Sequence, residues 1–306
     1  MDWIRTTLRR HQISPRRWLT GLCGYARYLG YVRPQLLQGS EAEYRVRRQM
    51  LAHGWEPRKL VPPLGKCILA LCPHPDDESI GAGGFLLAHK DIAEIHLICL
   101  CDGGAGGSLG SKDASTDSMK EVRRKELRKT AEDLRAHSIK HLDFPDGHIS
   151  IDVSAIAALR AAVLAVKPDV VVLPWFLDDH IDHRSANLLY ARACFDLDAI
   201  VLGYEIWSLL EPNAVLDITD HLQNKLRLIA NYPSQLSTVD YVQYASALAH
   251  VRAYHAAITP LRSGAAEAFV ALPNREYCEL VSNLADQQKQ RNNAVNPFHT
   301  TVGAVA

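Results

Sequence analysis

From Lys66 onward, short apolar runs alternate with helical stretches, and this alternation constrains the fold more than any other feature of the chain. Short apolar runs bounded by turn signals read as buried strands, and strands separated by helices read as parallel βαβ units. Candidate strands cover 67–72, 95–101, 141–144, 170–173 and 200–206, with a late strand at 267–272. Helices are expected over 83–89, 119–137, 154–166, 184–194, 220–230 and 241–257. The fold class predicted from this pattern is α/β, a Rossmann-like and mostly parallel sheet flanked by helices.

Residues 1–60 read differently. Their apolar positions recur at helical spacing, aromatics such as Trp3, Trp18, Tyr25 and Trp55 are interleaved, and twelve basic side chains face four acidic ones. This predicts a helical N-terminal extension carrying +8, packed on the main domain with solvated arginines. The same composition would also suit peripheral contact with an anionic membrane or a lipid-linked substrate. The domain division that follows is an extension at 1–60, an α/β domain at 61–275 and a tail at 276–306 that frays from 282.

The chain as a whole is balanced, with 34 Lys plus Arg against 34 Asp plus Glu. That argues against a protein that coats nucleic acid, and no nucleic-acid partner is expected. No apolar run is long enough to span a bilayer, and the first residues lack the apolar core of a secretory signal. Seven cysteines with no C-x-x-C pair suggest reduced, buried thiols, so a cytoplasmic location is expected. The oligomeric state is not readable.

Two clusters carry the chemistry. Cys72-Pro73-His74-Pro75-Asp76-Asp77-Glu78 directly follows the first apolar strand, where crowded carboxylates require a cation, hydrogen bonds or solvent. Pro174-Trp175-Phe176-Leu177-Asp178-Asp179-His180-Ile181-Asp182-His183-Arg184 follows the strand at 170–173. Both lie at carboxyl ends of strands, the edge where open α/β sheets bind ligands, so they can converge on one pocket. Two His and one Asp are ligand types suited to zinc and leave a position open, as a catalytic site requires. Asp178 and Asp179 read first as turn or capping groups, and Glu78 as either a cap or a support for a ligand.

Two glycine-rich stretches are more neutral. Gly81-Ala82-Gly83-Gly84 matches no nucleotide-binding fingerprint and reads as tight backbone passage into a helix. The Gly/Ser/Asp-rich segment 103–117 reads as a long loop at the ligand-binding edge.

The His-Pro-Asp-Asp-Glu run and the later His180-x-Asp182-His183 resemble the zinc-dependent N-acetylglucosamine de-N-acetylases of the PIG-L/LmbE type. Five fixed residues of this kind arise by chance in such a chain about once in 10,000. Arg123-x-x-Glu126, Asp146-Gly147, the stretches 204–207 and 215–219, and Ser234-Gln235 are similar to further family elements in the same order. The resemblance spans about 66–269 and departs modestly at Cys72-Pro73 and at Ile181, which replaces a common Pro.

Carried over residue by residue, the resemblance implies one Zn2+ per chain held by His74, Asp77 and His183, with Asp76 as general base. His180 would stabilise the oxyanion or protonate the leaving amine, oriented by Asp182. Arg123 and Asp146 would hold sugar hydroxyls. The implied activity is removal of an N-acetyl group from an amino-sugar conjugate, which would be the chain's small-molecule partner. A metal-dependent phosphoesterase, or a non-catalytic glycan-binding or membrane-docking protein on the same scaffold, are the competing readings.

Overall fold

The structure, a computed structural model, describes residues 57–105, 116–237, 239–255 and 264–294. The predicted helical extension lies almost entirely outside the described residues, as does most of the 103–117 loop. One eight-stranded sheet organises the rest, in the order β1-β7-β8-β6-β5-β2-β3-β4. In chain order its strands are β1 (Arg58–Leu60), β2 (Cys67–Cys72), β3 (Glu94–Cys101), β4 (Ser138–Phe144), β5 (Val170–Pro174), β6 (Ile200–Tyr204), β7 (Ala214–Asp217) and β8 (Ala266–Pro273). All neighbours are parallel except β8, which runs antiparallel to both β6 and β7.

Eight α-helices accompany the sheet among the described residues. They are α1 (Asp77–His89), α2 (Thr116–Asp133), α3 (Val153–Val166), α4 (Ile181–Ala193), α5 (Leu222–Ile229), α6 (Pro233–Leu236), α7 (Tyr241–His255) and α8 (Asn274–Ala294). The central strands are buried throughout, β5 along its whole length and β2 from Ile68 onward, because helices cover both faces. No described helix is long and apolar enough to cross a membrane.

The strand order changes direction at β2. From there the chain adds β3 and β4 on one side, then returns to lay β5 and β6 on the other. The crevice at the carboxyl ends of β2 and β5 is therefore the topological switch point, and both chemical clusters begin there.

Four sequence expectations need correction. Residues 58–60 are not helical: they form β1, an edge strand registered against β7, so the sheet begins inside the segment assigned to the extension. The boundary at 275 cuts through the fold, because α8 starts at Asn274 and buries Tyr277 and Cys278 completely. The tail predicted to fray from 282 continues as helix to Ala294. Finally, α1 begins at Asp77 rather than at 83, because the acidic cluster is itself its first turn, and it is kinked at Ala82.

The glycine stretch has the structural role expected. A Cβ on Gly81 would stand 2.0 Å from Tyr204 Cδ2, and one on Gly84 would sit 2.6 Å from Ile218 Cγ2, so the two glycines permit α1 to lie directly against β6 and the chain that follows β7. At the kink, Glu267 of β8 accepts the N–H groups of Gly84 and Phe85, each at 2.7 Å, and is neutralised by Lys225 at 2.6 Å. The helix dipole restarts there, which suits a carboxylate.

Candidate metal centre

The first cluster turns sharply out of β2. Asp76, the residue before α1, sits at φ 135°, a conformation that costs a non-glycine residue energy and persists only when its surroundings enforce it. The enforcing groups are visible. Glu78 Oε2 accepts the Asp76 N–H at 3.2 Å, and Glu78 is itself held by Tyr232 Oη at 2.5 Å and Ser79 Oγ at 2.8 Å. From α2, Arg123 donates one nitrogen to the Pro75 carbonyl at 2.7 Å and to Asp76 Oδ1 at 3.1 Å.

The consequence is a buried carboxylate poised to change protonation. Burial pushes the Asp76 pKa up, Arg123 pulls it down and Asp77 raises it again, leaving it at about 7. Asp77 behaves in the opposite way: burial opposes its charge, yet His183 and His74 hold it well below the usual carboxylate range. Two adjacent carboxyls with opposed tendencies suggest two different tasks.

Asp77 is the hub. Its Oδ2 lies 3.2 Å from His74 Nδ1 and 3.3 Å from His183 Nε2, and also accepts the His74 N–H at 2.8 Å. Donor atoms on a tetrahedral zinc at 2.0–2.2 Å stand about 3.3–3.6 Å apart. His183 Nε2 is fully buried and makes no well-formed hydrogen bond. A buried ring nitrogen left open in this way fits a metal ligand, and the donor set fits zinc.

The outward nitrogens of both imidazoles are held by carboxylates. Asp182 Oδ2 meets His74 Nε2 at 2.9 Å, and Asp178 Oδ1 meets His183 Nδ1 at 3.1 Å. This carboxylate–histidine pairing is the usual device for orienting metal-ligating imidazoles. It also corrects the expected partner of Asp182, whose carboxylate orients His74 and not His180. Asp182 reaches His180 only through its backbone, the Asp182 N–H donating to His180 Nδ1 at 3.1 Å at the start of α4. That bond makes Nδ1 an acceptor and leaves the ring proton on Nε2. Burial and the nearby His74 and His183 lower the His180 pKa to about 4, in keeping with a neutral ring.

Of the two expected sugar contacts, Asp146 presents one buried oxygen, Oδ1, without a hydrogen bond, while Oδ2 accepts the Ala105 N–H at 2.8 Å. Oδ1 stands 3.9 Å from His74 Nε2, so the free acceptor is beside the candidate ligand His74. Arg123 is buried, and its visible bonds brace the Asp76 turn.

Three contributors were not assigned functional roles from sequence. Asp178 is wholly buried and makes four bonds, adding the N–H groups of His180, Trp207 and Ser208 at 3.0, 3.0 and 3.3 Å to its contact with His183. Trp207 is half exposed, lies nearly parallel to His180 with ring centroids 6.5 Å apart, and meets Tyr241 edge-on at 6.1 Å. Tyr277, from the supposed tail, donates to Asn187 Oδ1 at 2.5 Å, and Asn187 in turn holds the Pro174 and His183 carbonyls. The available signal for Trp207 was its position just after β6, which neighbours β5 and so ends at the same crevice.

Fold and site together define a class: a doubly wound α/β protein with a buried His/Asp constellation of metal-ligand type at its switch point. Within that class, this chain matches the PIG-L family, described as GlcNAc-PI de-N-acetylase, over residues 69–194. It is 28% identical over 190 residues to a diacetylchitobiose deacetylase of Thermococcus kodakarensis, covering 56% of this chain and 70% of that protein. The fold matches that of N,N'-diacetylchitobiose deacetylase from Pyrococcus horikoshii, solved with an inhibitor, at TM-score 0.59 and 23% identity, over 70% of this chain and 86% of that one. It equally matches GalB, a 4-carboxy-2-hydroxymuconate hydratase of Pseudomonas putida, at TM-score 0.60 and 23% identity, over 68% and 96%. One fold thus hosts a deacetylase and a hydratase, and function must be argued from the site.

Proposed function

We propose that this chain is a zinc-dependent hydrolase that removes the N-acetyl group from an N-acetylglucosamine-type conjugate, releasing acetate and a free amine. The observation that carries the reading is the buried, open Nε2 of His183 facing Asp77, with Asp76 beside it as a carboxylate outside the ligand set. His74, Asp77 and His183 would hold one zinc ion. The chemistry zinc supplies is Lewis acidity toward the amide carbonyl and toward water.

The chain's own groups account for the proton movements. Asp76, held by Arg123 and poised near neutrality, takes a proton from the attacking water. His180 donates its Nε2–H to the oxyanion that develops on the acetamide carbonyl. Because its Nδ1 already accepts a backbone N–H, His180 is a neutral donor, and the proton for the departing amine comes from Asp76. Asp146 Oδ1 accepts from a sugar hydroxyl, while Trp207 and Tyr241 wall the mouth and pack against the apolar face of the sugar ring. The reaction would take place in the cytoplasm, in assembly of a polysaccharide, glycolipid or soluble glycoside.

The experiment is acetate release from a panel of soluble, lipid-linked and nucleotide-linked N-acetylglucosamine conjugates, with metal content measured on the same sample. About one zinc per chain and acetate from any member supports the proposal. Zinc without acetate, together with phosphate release from phosphoesters, would replace it with the phosphoesterase reading.

A further inference from the structure

A second set of metal-ligand side chains lies at the other end of the strands, away from the switch-point crevice. Cys67 opens β2 and is registered against Glu94, the first residue of β3, while His96 follows two residues later. Register partners on parallel strands, and residues two apart on one strand, share a face of the sheet. The three side chains accordingly meet: one ligand atom each from Cys67, Glu94 and His96 lies within 4.8 Å of the others. His96 Nε2 and Glu94 Oε2 are 3.7 Å apart, close to the spacing of two donors on one tetrahedral ion.

The surroundings favour a cation. His96 Nδ1 is hydrogen-bonded to Ser138 Oγ at 2.8 Å, which fixes the ring and directs Nε2 toward Glu94. Cys67 Sγ donates to the carbonyl of Val166, the last residue of α3, so the thiol sits at the negative end of a helix. Asp169 adds a carboxylate, its Oδ2 accepting the Lys66 and Cys67 N–H groups at 2.7 and 3.0 Å and fixing the backbone of the strand start. The exposed His137 ring stands 5.7 Å from His96.

We propose that Cys67, Glu94 and His96 form a second divalent-metal site, selective for zinc-like ions, that staples the starts of β2 and β3. Thiolate, imidazole and carboxylate together select a borderline-soft ion over magnesium or calcium. Binding deprotonates the thiol and releases its proton to solvent. Water completes the coordination sphere, as Glu94 is largely exposed.

Metal content and cobalt substitution test the site without reference to catalysis. The zinc-equilibrated full chain should hold about one more zinc than either Cys67→Ser or His96→Ala, whatever the occupancy of the switch-point centre. The cobalt-loaded protein should show thiolate-to-cobalt charge-transfer absorption that Cys67→Ser abolishes. Equal zinc content in all three proteins, or absorption that survives Cys67→Ser, would overturn the proposal. Circular dichroism of each variant separates loss of a ligand from loss of the fold.

Discussion

Replacing Asp178 with Asn changes one oxygen to an amide nitrogen without altering size, yet its cost follows from the bonds around it. In the native site Oδ1 serves His183 Nδ1 and the His180 N–H, while Oδ2 serves the N–H groups of Trp207 and Ser208. An amide in either orientation offers one acceptor and one donor, so one of these pairs meets an NH2 group instead of an oxygen. Each buried donor left unpaired costs about 1–3 kcal/mol, giving about 2–6 kcal/mol for two. If the amide turns its nitrogen to His183, zinc affinity should also fall by about 10- to 100-fold, or about 1.4–2.7 kcal/mol. Zinc competition against a chromogenic chelator and denaturant unfolding of the metal-free protein measure the two effects. Asp179→Asn is the control, because the same chemical change falls next door on an exposed residue. Equal zinc affinity and equal unfolding midpoints for the two variants would refute the reasoning.

Asp76→Asn should keep its zinc and lose about 10²- to 10⁴-fold in acetate release, the worth of a general base; an emptied metal site would exchange the roles of Asp76 and Asp77. Trp207→Ala should raise KM for glycosidic substrates while leaving zinc content and kcat on a small N-acetyl amine nearly unchanged, and an unaltered KM would remove Trp207 from the substrate wall. Gly81→Ala should destabilise by about 1–3 kcal/mol or more through overpacking on Tyr204, read as a lowered midpoint in urea. Lys225→Met leaves Glu267 charged and buried against the α1 kink, and a loss of about 3–5 kcal/mol is expected in the same assay.

The central strands were legible because each is a continuous apolar run, the signature of a strand covered on both faces. β1 and β7 were not, since three or four residues carry no resolvable period and their pairing depends on chain far away in sequence. The same limit hid α8: its polar exposed face dominated the reading, while Tyr277 and Cys278 found buried partners only after folding.

At the site, the residue types at 74–78 and 178–184 were enough to suggest a zinc-like centre, because ligand chemistry and motif spacing are local properties. The division of labour among the carboxylates was not local. Asp182 faces His74 across 108 residues, Arg123 braces Asp76 from another helix, and Asp178 ties His183 to the Trp207 loop. Sequence by itself determined the central strands of the sheet, the edge at which its chemistry lies and the candidate ligands. Tertiary structure alone decided which carboxylate holds each imidazole and that Nε2 of His183 is left open, because a hydrogen bond acts over about 3 Å and its partner is chosen by the fold.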